Sequence, residues 1–225
     1  MLNIDKLIQN IDDFVRIIHN IPTEKSVNIH HSHNNIVNQK LNITDNEISN
    51  FDHNLSQKEK QHSAGLMRIN HVGEICAQAL YKGQQFGVKN HNVKHFLKTA
   101  EQEEIEHLDL CYARLQHLNS HTSYLNPLWY AGAFVLGAVA SKVSDATSLA
   151  FVVETEKQVE AHLNSHLLKL PQNDIVSRKI VEKMAEDEAE HAHQAEHIGA
   201  NVLPAPVAYM MKGMAKVMTT VAYYI

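Results

Sequence analysis

Residues that form tight turns are scarce in this chain. It has 8 glycines and 5 prolines among 225 residues. Folds built from many short strands need a turn after each strand, so this composition argues against a sandwich or a barrel and favours helices. The hydrophobic fraction of 44% is ordinary for a globular protein. The length allows one domain with a core of its own, or a domain and a tail.

Cysteine is scarce as well, and acidic residues outnumber basic ones. The two cysteines, Cys76 and Cys111, form no C-x-x-C pair, and a disulfide framework would need more of them. We interpret them as reduced thiols in helices, which indicates a cytoplasmic setting. The formal net charge of -5 gives no indication of a nucleic-acid partner. The N-terminus carries acidic residues early and has no long apolar run, unlike a signal peptide.

The N-terminal quarter of the chain changes character along its length. Apolar residues at helical spacing over residues 1–22 predict a short amphipathic helix. From about 24 to 58 the sequence is rich in asparagine and contains His30, His31 and His33. This composition predicts a linker or a loosely ordered arm, and a solvated polar tract explains the histidines better than a metal site does.

The main body of the chain begins near Ser56, whose S-x-x-E spacing to Glu59 predicts a capping box. We therefore divide the chain into an N-terminal region, residues 1–57, and a helical domain, residues 58–225. Four long segments of that domain have apolar residues at i, i+3, i+4 and i+7, the pattern of an amphipathic helix. They cover about residues 57–87, 90–118, 144–170 and 172–198. The predicted fold is all-α, a ferritin-like four-helix bundle.

Two apolar segments lie outside these four helices. The uncharged stretch within residues 126–141 is shorter than the 18 or so residues that a spanning helix needs, so it predicts a buried or membrane-surface helix. The segment that begins at Leu203 is rich in methionine, and its only charges are Lys212 and Lys216. This composition suits a helix at a lipid headgroup boundary. A fifth helix packed on the bundle, with methionines filling gaps, is the alternative.

Carboxylates interrupt the apolar side of all four long helices, and two of them are followed by a histidine three residues later. A carboxylate buried alone would cost several kcal/mol, so four of them need a common cause, and a pair of divalent cations supplies it. Residues i and i+3 share a helix face and can chelate one ion. Two Glu-x-x-His helices and two helices with a single Glu form the ligand set of di-iron and di-manganese carboxylate bundles. The residues are Glu74, Glu104, His107, Glu156, Glu188 and His191.

Donor type and helix phase narrow this interpretation. An oxygen-rich set with two imidazoles and no thiolate suits iron or manganese better than zinc, and it leaves coordination positions open for oxygen. Glu190 and His193 share the Glu-x-x-His spacing but lie on a charged face, which indicates solvent exposure. Glu160 stays open as a bridging or outer group, and His162 as a ligand's hydrogen-bond partner or an exposed residue. Five further acids lie off the apolar side of their helices or at its edge and are interpreted as surface charge: Glu101, Glu103, Glu106, Glu154 and Glu182.

Around these residues the chain resembles a known family. The strings GLMRINHVGEICAQALYKGQ, EQEEIEHLDLC and AEDEAEHAHQAEHIGA are similar to those of bacterial 3-demethoxyubiquinol hydroxylases, the di-iron monooxygenases of late ubiquinone biosynthesis. The resemblance covers about residues 58–225 and includes the local string that runs from Asn70 to Glu74. It does not extend to the Asn-rich arm.

The resemblance implies an enzyme that uses O2 and two iron ions to hydroxylate the ring of a polyprenylated methoxy-methyl benzoquinol. His107 and His191 would hold one iron each. Glu74 and Glu188 would each bind one iron or bridge both, and Glu104 and Glu156 are the other bridging candidates. The family is peripheral on the cytoplasmic face of the membrane, which gives both apolar segments a role in docking and in admitting the lipid tail. A protein that delivers the lipid, or a biosynthetic complex, is a further expected partner.

Other functions on the same scaffold are less favoured by the sequence. A ferritin-like storage protein would not need the apolar segment within 126–141 or the Met-rich C-terminus, and a peroxide-consuming rubrerythrin usually adds a C-x-x-C module that is lacking here. A tRNA-modifying hydroxylase should have a basic surface. An acyl desaturase also uses this bundle. A non-catalytic membrane scaffold would leave the six inward ligands unexplained. Because a fold does not fix chemistry, the local strings decide among these.

Overall fold

The computed structural model describes residues 32–225, together with Val15. The helix predicted over residues 1–22 and the histidines at 30 and 31 therefore lie outside the described residues. Within residues 32–225 the chain forms eight α-helices and no strand. The helices are α1 (Ser32–Leu41), α2 (Asp45–His53), α3 (Gln57–Gln84), α4 (His91–His117), α5 (Asn126–Val143), α6 (Asp145–Lys169), α7 (Ile175–Ile198) and α8 (Ala205–Ala222).

The predicted four-helix bundle is confirmed and consists of α3, α4, α6 and α7. α3 packs along α4 and α6 packs along α7, while contacts between α4 and α7 and between α3 and α6 close the bundle. Local chemistry sets the helix ends. Ser56 forms the predicted capping box with Glu59, whereas Asn90 and Ser144 accept hydrogen bonds from the first turns of α4 and α6. α7 ends at Gly199, whose φ of 118° suits glycine.

Two apolar clusters fill the bundle, one on each side of a polar middle. The first cluster includes Leu110 of α4 and Met184 of α7, and it extends to the N-terminal helices. The second includes Leu97 of α4 and Val152 of α6. The four bundle helices contribute to both clusters, and the six predicted acids and histidines occur between the two clusters in each helix. Apolar packing at both ends thus holds the polar middle in place.

α5 crosses α3 at very close range on the outside of the bundle. A Cβ atom on Gly83 would lie 2.2 Å from the carbonyl oxygen of Phe134, and one on Gly137 would lie 2.2 Å from that of Leu80. Because only glycine leaves this space free, the two residues allow the crossing. The outward face of α5 keeps large apolar side chains in contact with solvent: Leu128, Val135, Val139 and Val143.

α8 covers one side of the bundle but buries few of its own side chains. Only Met211 and Ala222 of this helix are fully buried, while Tyr209, Met214 and others are exposed. Its C-terminal end is anchored at Tyr223, whose hydroxyl lies 2.6 Å from His62 Nδ1. Among the described residues, no helix has the length and apolar character needed to cross a membrane.

The structure differs from the expected linker over residues 32–53. α2 begins with a capping box between Thr44 and Glu47, and apolar residues such as Val37 and Ile48 are buried in the first apolar cluster. The prediction was wrong here because frequent asparagines masked an amphipathic pattern that buries apolar groups against α4 and α7. The division of the chain at residue 57 stays a prediction.

Candidate metal centre

The six predicted acids and histidines converge in the middle of the bundle, and each is at most 3% exposed. Their ligand atoms form two groups, within each of which all atoms lie within 4.8 Å of one another. One group contains Glu74, Glu104, His107 and Glu188, and the other contains Glu104, Glu156, Glu188 and His191. Glu104 and Glu188 therefore belong to both groups. This answers a question that the sequence left open, namely which acids lie between the two positions.

The two shared carboxylates each offer one oxygen to either side. His107 Nδ1 lies 3.4 Å from Glu104 Oε2 and 3.3 Å from Glu188 Oε1. His191 Nδ1 lies 3.4 Å from Glu104 Oε1 and 3.2 Å from Glu188 Oε2. The two histidines thus point their Nδ1 atoms into the cluster from opposite sides. In this arrangement two groups of ligand atoms share a pair of carboxylates.

Two further acids, which sequence reasoning did not assign to the site, orient the histidines. His107 Nε2 lies 2.9 Å from Asp187 Oδ2, and His191 Nε2 lies 2.5 Å from Glu103 Oε2. Each acid directly precedes the glutamate of one Glu-x-x-His motif and contacts the histidine of the other. Such an outer carboxylate fixes the orientation and tautomer of a metal-binding imidazole. Glu103 was interpreted as surface charge, and its side chain is 53% exposed, but its carboxylate also contacts His191. The sequence signal for this role was the acid that directly precedes the glutamate in each Glu-x-x-His motif.

Electrostatics in the cluster follow from burial and from the proximity of like charges. Burial, and then the charge of a neighbouring carboxylate, raises the pKa of Glu74 and of Glu156 well above 4.5. Burial alone would lower the pKa of His191, but the carboxylates of Glu104 and Glu188, 3.4 and 3.2 Å from its Nδ1 atom, outweigh it and raise that pKa to about 12. Without a cation, protons therefore balance the charge of the cluster. Because bound metal ions replace such protons, these shifts are typical of a metal site.

Unpartnered oxygens test whether divalent cations fit this cluster. Among residues 32–225, both carboxylate oxygens of Glu104 and of Glu156 are buried without a hydrogen-bond partner, as is Oε1 of Glu74. Buried oxygens of this kind are unfavourable unless a proton or a cation compensates them. Four carboxylates and two imidazoles without a thiolate match the donors that iron and manganese prefer. The cluster is thus compatible with a metal site.

The other acids and histidines that the helix pattern pointed out fall outside both groups. Glu190 and His193 are exposed, as their helix phase indicated. Glu160 is half-buried and contributes to neither group. His162 lies in the wall of a neighbouring cavity. Two of the remaining acids form ion pairs, Glu101 with Lys82 at 3.4 Å and Glu106 with Lys40 at 2.5 Å.

A cavity of about 840 Å³ extends from the cluster toward the protein surface. Its walls come from α3, α5, α6 and α8, and Glu74 is the cluster residue that lines it. Most of its other walls are apolar, including Ile69, Leu80, Trp129, Leu136, Met211 and Met218. The two apolar segments outside the bundle thus form the outer wall of a space that reaches the polar middle. Such a space suits an apolar ligand with a reactive end near Glu74.

Comparison with known proteins agrees with this geometry. A family model described as "Ubiquinone biosynthesis protein COQ7" matches residues 61–222. The chain is 56% identical over 171 residues to a 3-demethoxyubiquinol 3-hydroxylase of Methylibium petroleiphilum, covering 76% of this chain and 81% of the relative. It is 55% identical over 172 residues to the enzyme of that name from Polynucleobacter asymbioticus, covering 76% and 82%. For the Bordetella pertussis enzyme the identity is 52% over 171 residues, covering 76% and 77%. The chain therefore belongs to the COQ7 family of ubiquinone biosynthesis proteins.

Proposed function

We propose that this protein is a di-iron monooxygenase that uses O2 to hydroxylate the ring of a polyprenylated methoxy-methyl benzoquinol in ubiquinone biosynthesis. The observation that carries the proposal is the adjacency of two elements. One is a buried cluster in which Glu104 and Glu188 are shared by two ligand groups. The other is a mainly apolar cavity whose wall includes Glu74 of that cluster. Relatives with more than 50% identity bear the name 3-demethoxyubiquinol 3-hydroxylase.

In this proposal the cluster holds two iron ions, which supply O2 activation when bound. Glu74 and His107 would hold one ion, Glu156 and His191 the other, and the shared pair Glu104 and Glu188 would contribute to holding both. The outer acids, Asp187 and Glu103, keep the imidazole rings in place when the rings lose protons and bind metal. Glu74 lines the cavity, so the substrate ring would lie beside Glu74. Apolar walls exclude water from the reacting carbon.

The cavity also suits the lipid character of the substrate. A benzoquinol head near Glu74 would leave its polyprenyl tail among the apolar side chains of α5 and α8. A ferritin-like storage function, the alternative, gives no role to this space. The volume of about 840 Å³ lies within the range of pockets that enclose small ligands.

We further propose that the protein lies on the cytoplasmic face of the cell membrane as a peripheral protein. α5 and α8 present exposed apolar side chains, among them Val139, Met210 and Val217. Lys212 and Lys216 are exposed on α8 and would favour anionic headgroups. An exposed apolar surface of this kind also suits a protein that delivers the lipid or a biosynthetic complex.

The proposal is tested by metal content combined with quinone analysis. The full chain is purified without chelators, and iron per chain is measured for the wild type, for Glu188→Ala and for the matched control Glu190→Ala. Glu190 is exposed on the same helix and shares the Glu-x-x-His spacing. We expect about two irons in the wild type and the control, and a loss in Glu188→Ala. Cells lacking the gene should accumulate the demethoxy quinone and recover with the wild-type gene.

The outcomes separate the parts of the proposal. Two irons with a normal quinone profile in the deletion strain would keep the metal centre and refute the ubiquinone reaction. Absence of iron and of manganese from wild-type protein would refute the metal centre itself. Equal metal loss in Glu190→Ala would refute the assignment of the ligands by helix face.

A further inference from the structure

Two polar side chains in the apolar cavity have an atom without a partner. Within the described part of the chain, Asn70 Oδ1 and His162 Nε2 are buried and make no hydrogen bond, and both residues line the cavity. Asn70 is 3% exposed, and its amide nitrogen donates to the sulfur of Met67, at 3.7 Å. Buried polar atoms are unfavourable unless they are paired. These two therefore indicate a ligand that carries polar groups.

The helix directions define where these atoms lie relative to the metal centre. α3 and α6 run antiparallel. Glu74 and Glu156 lie in the polar middle of the bundle, and His62 of α3 meets α6 near its end, where His62 Nε2 lies 3.1 Å from the carbonyl oxygen of Lys169. Residues before Glu74 on α3 and after Glu156 on α6 thus lie on the same side of the metal centre.

Asn70 and His162 occupy this stretch of the two facing helices. At a rise of 1.5 Å per residue, Asn70 lies about 6 Å from the level of Glu74, and His162 lies about 9 Å from the level of Glu156. Both side chains also line the cavity that Glu74 enters. A small aromatic ring beside Glu74 would therefore lie within reach of Asn70 on α3 and His162 on α6, both on the same side of the metal centre.

His162 is uncharged in this position. Burial, and then the charges of Lys169 and Lys216, lowers its pKa to about 4. Its ring packs edge-on against His166, with 4.0 Å between ring centroids, and burial lowers the pKa of His166 to about 2. A neutral imidazole offers one donor and one acceptor. It suits an uncharged ligand with hydroxyl or ether oxygens better than an anion.

We propose that Asn70 and His162 bind the ring oxygens of the quinol and hold its ring at Glu74. The inference rests on the proposed function, because it takes the benzoquinol as the ligand. One quinol hydroxyl donates to Asn70 Oδ1. Another ring oxygen, hydroxyl or methoxy, pairs with His162 Nε2, which donates or accepts according to the tautomer. The two residues thereby select the oxygen-bearing end of the lipid and leave the tail to the apolar walls.

Binding measurements on two near-isosteric variants test this inference. The iron-loaded full chain, Asn70→Leu and His162→Phe are titrated calorimetrically, without O2, with a short-tailed methoxy-methyl benzoquinol. A tail-matched benzene that lacks the ring oxygens serves as the second ligand. His193→Phe, an exposed histidine on α7, is the matched control variant. Iron content and helical circular dichroism verify that each variant is folded and loaded.

We expect each cavity variant to raise the Kd of the quinol about five- to tenfold, as the loss of one hydrogen bond predicts. The Kd of the oxygen-free ligand should change less than about twofold, because packing in the cavity is retained. In turnover assays the KM for the quinol should rise with its Kd, at unchanged iron content. His193→Phe should match the wild type in every measurement.

Three results would overturn the inference. An unchanged quinol Kd in both variants would mean that water partners these atoms. Equal weakening of both ligands would mean a packing role rather than hydrogen bonding. A wild-type protein that holds iron but neither binds nor hydroxylates the quinol would refute the proposed function, and the inference with it. That third result is recognised without the variants.

Discussion

Replacement of Glu156 by glutamine should make the metal-free protein more stable. The Glu156 side chain is 0% exposed, and neither of its oxygens has a hydrogen-bond partner within residues 32–225. Burial, and then the charge of Glu188, raises the pKa of Glu156 well above 4.5. A buried carboxylate without a partner destabilises the folded protein unless a cation is bound to it. Metal binding and stability of the metal-free protein therefore conflict at this position.

The sign and size follow from proton linkage. With the folded-state pKa of Glu156 above its unfolded value of 4.5, the folded protein retains a proton that the unfolded chain releases. The contribution of this retained proton to the free energy of unfolding is fully present below about pH 4.5. It falls by about 1.4 kcal/mol per pH unit as the pH rises toward the folded-state pKa of Glu156. Glutamine has nearly the shape of the protonated acid and no proton to lose. The variant should equal the wild type near pH 4.5 and exceed it by up to about 3 kcal/mol at pH 7.

Urea unfolding of chelator-treated protein, followed by circular dichroism at several pH values, measures this difference. The control is Glu182→Gln, an exposed substitution on α7 that should change stability by less than about 0.5 kcal/mol. Added ferrous iron should reverse the order, because the wild type binds it with a complete ligand set. A metal-free Glu156→Gln protein that is no more stable than the wild type at pH 7 would refute the reasoning. A gain that does not depend on pH would refute it equally.

Three further predictions address the outer acids, the protons and the membrane surface. Asp187→Asn should accelerate iron loss to a chelator or weaken iron binding by about 10- to 100-fold. The exposed control Glu186→Gln should have no effect. Equal retention of iron by both variants would mean that Asp187 does not support His107. Iron binding near pH 7 should release protons from the two histidines and from the two carboxyl groups whose pKa is raised. The release is measured as acidification of a weakly buffered solution, and iron uptake without acidification would contradict these pKa shifts. Met214→Glu on the exposed face of α8 should weaken co-sedimentation with anionic vesicles at least several-fold, and undiminished sedimentation would exclude this face from the membrane contact.

The long helices and the inward carboxylates could be predicted from the sequence because their signals are local. Apolar spacing along one helix depends only on the helix period, and a Glu-x-x-His pair needs no other helix to share a face. The capping box at Ser56 and the exposed character of Glu190 are equally local. The second capping box, from Thr44 to Glu47, was also readable, and it would have revealed α2 within the Asn-rich segment.

Relations between helices could not be predicted in the same way. His107 contacts an acid 80 residues away, and His191 contacts one 88 residues away, so neither pairing has a spacing rule in the sequence. The role of Glu103 was missed for this reason, since its side chain is 53% exposed and its helix phase indicates the surface. Burial of residues 32–53 likewise depends on a partner surface that only the folded bundle provides.

The sequence by itself determined the helical class, the approximate extents of the four bundle helices and the positions of six inward acids and histidines, because periodicity and i, i+3 spacing are properties of single helices. Tertiary structure decided which carboxylates are shared, since that depends on the distances between four separate helices. It also created the cavity, whose walls come from α3, α5, α6 and α8 beside Glu74. The position of Asn70 and His162 in that cavity follows from the antiparallel packing of α3 and α6, which no local pattern specifies.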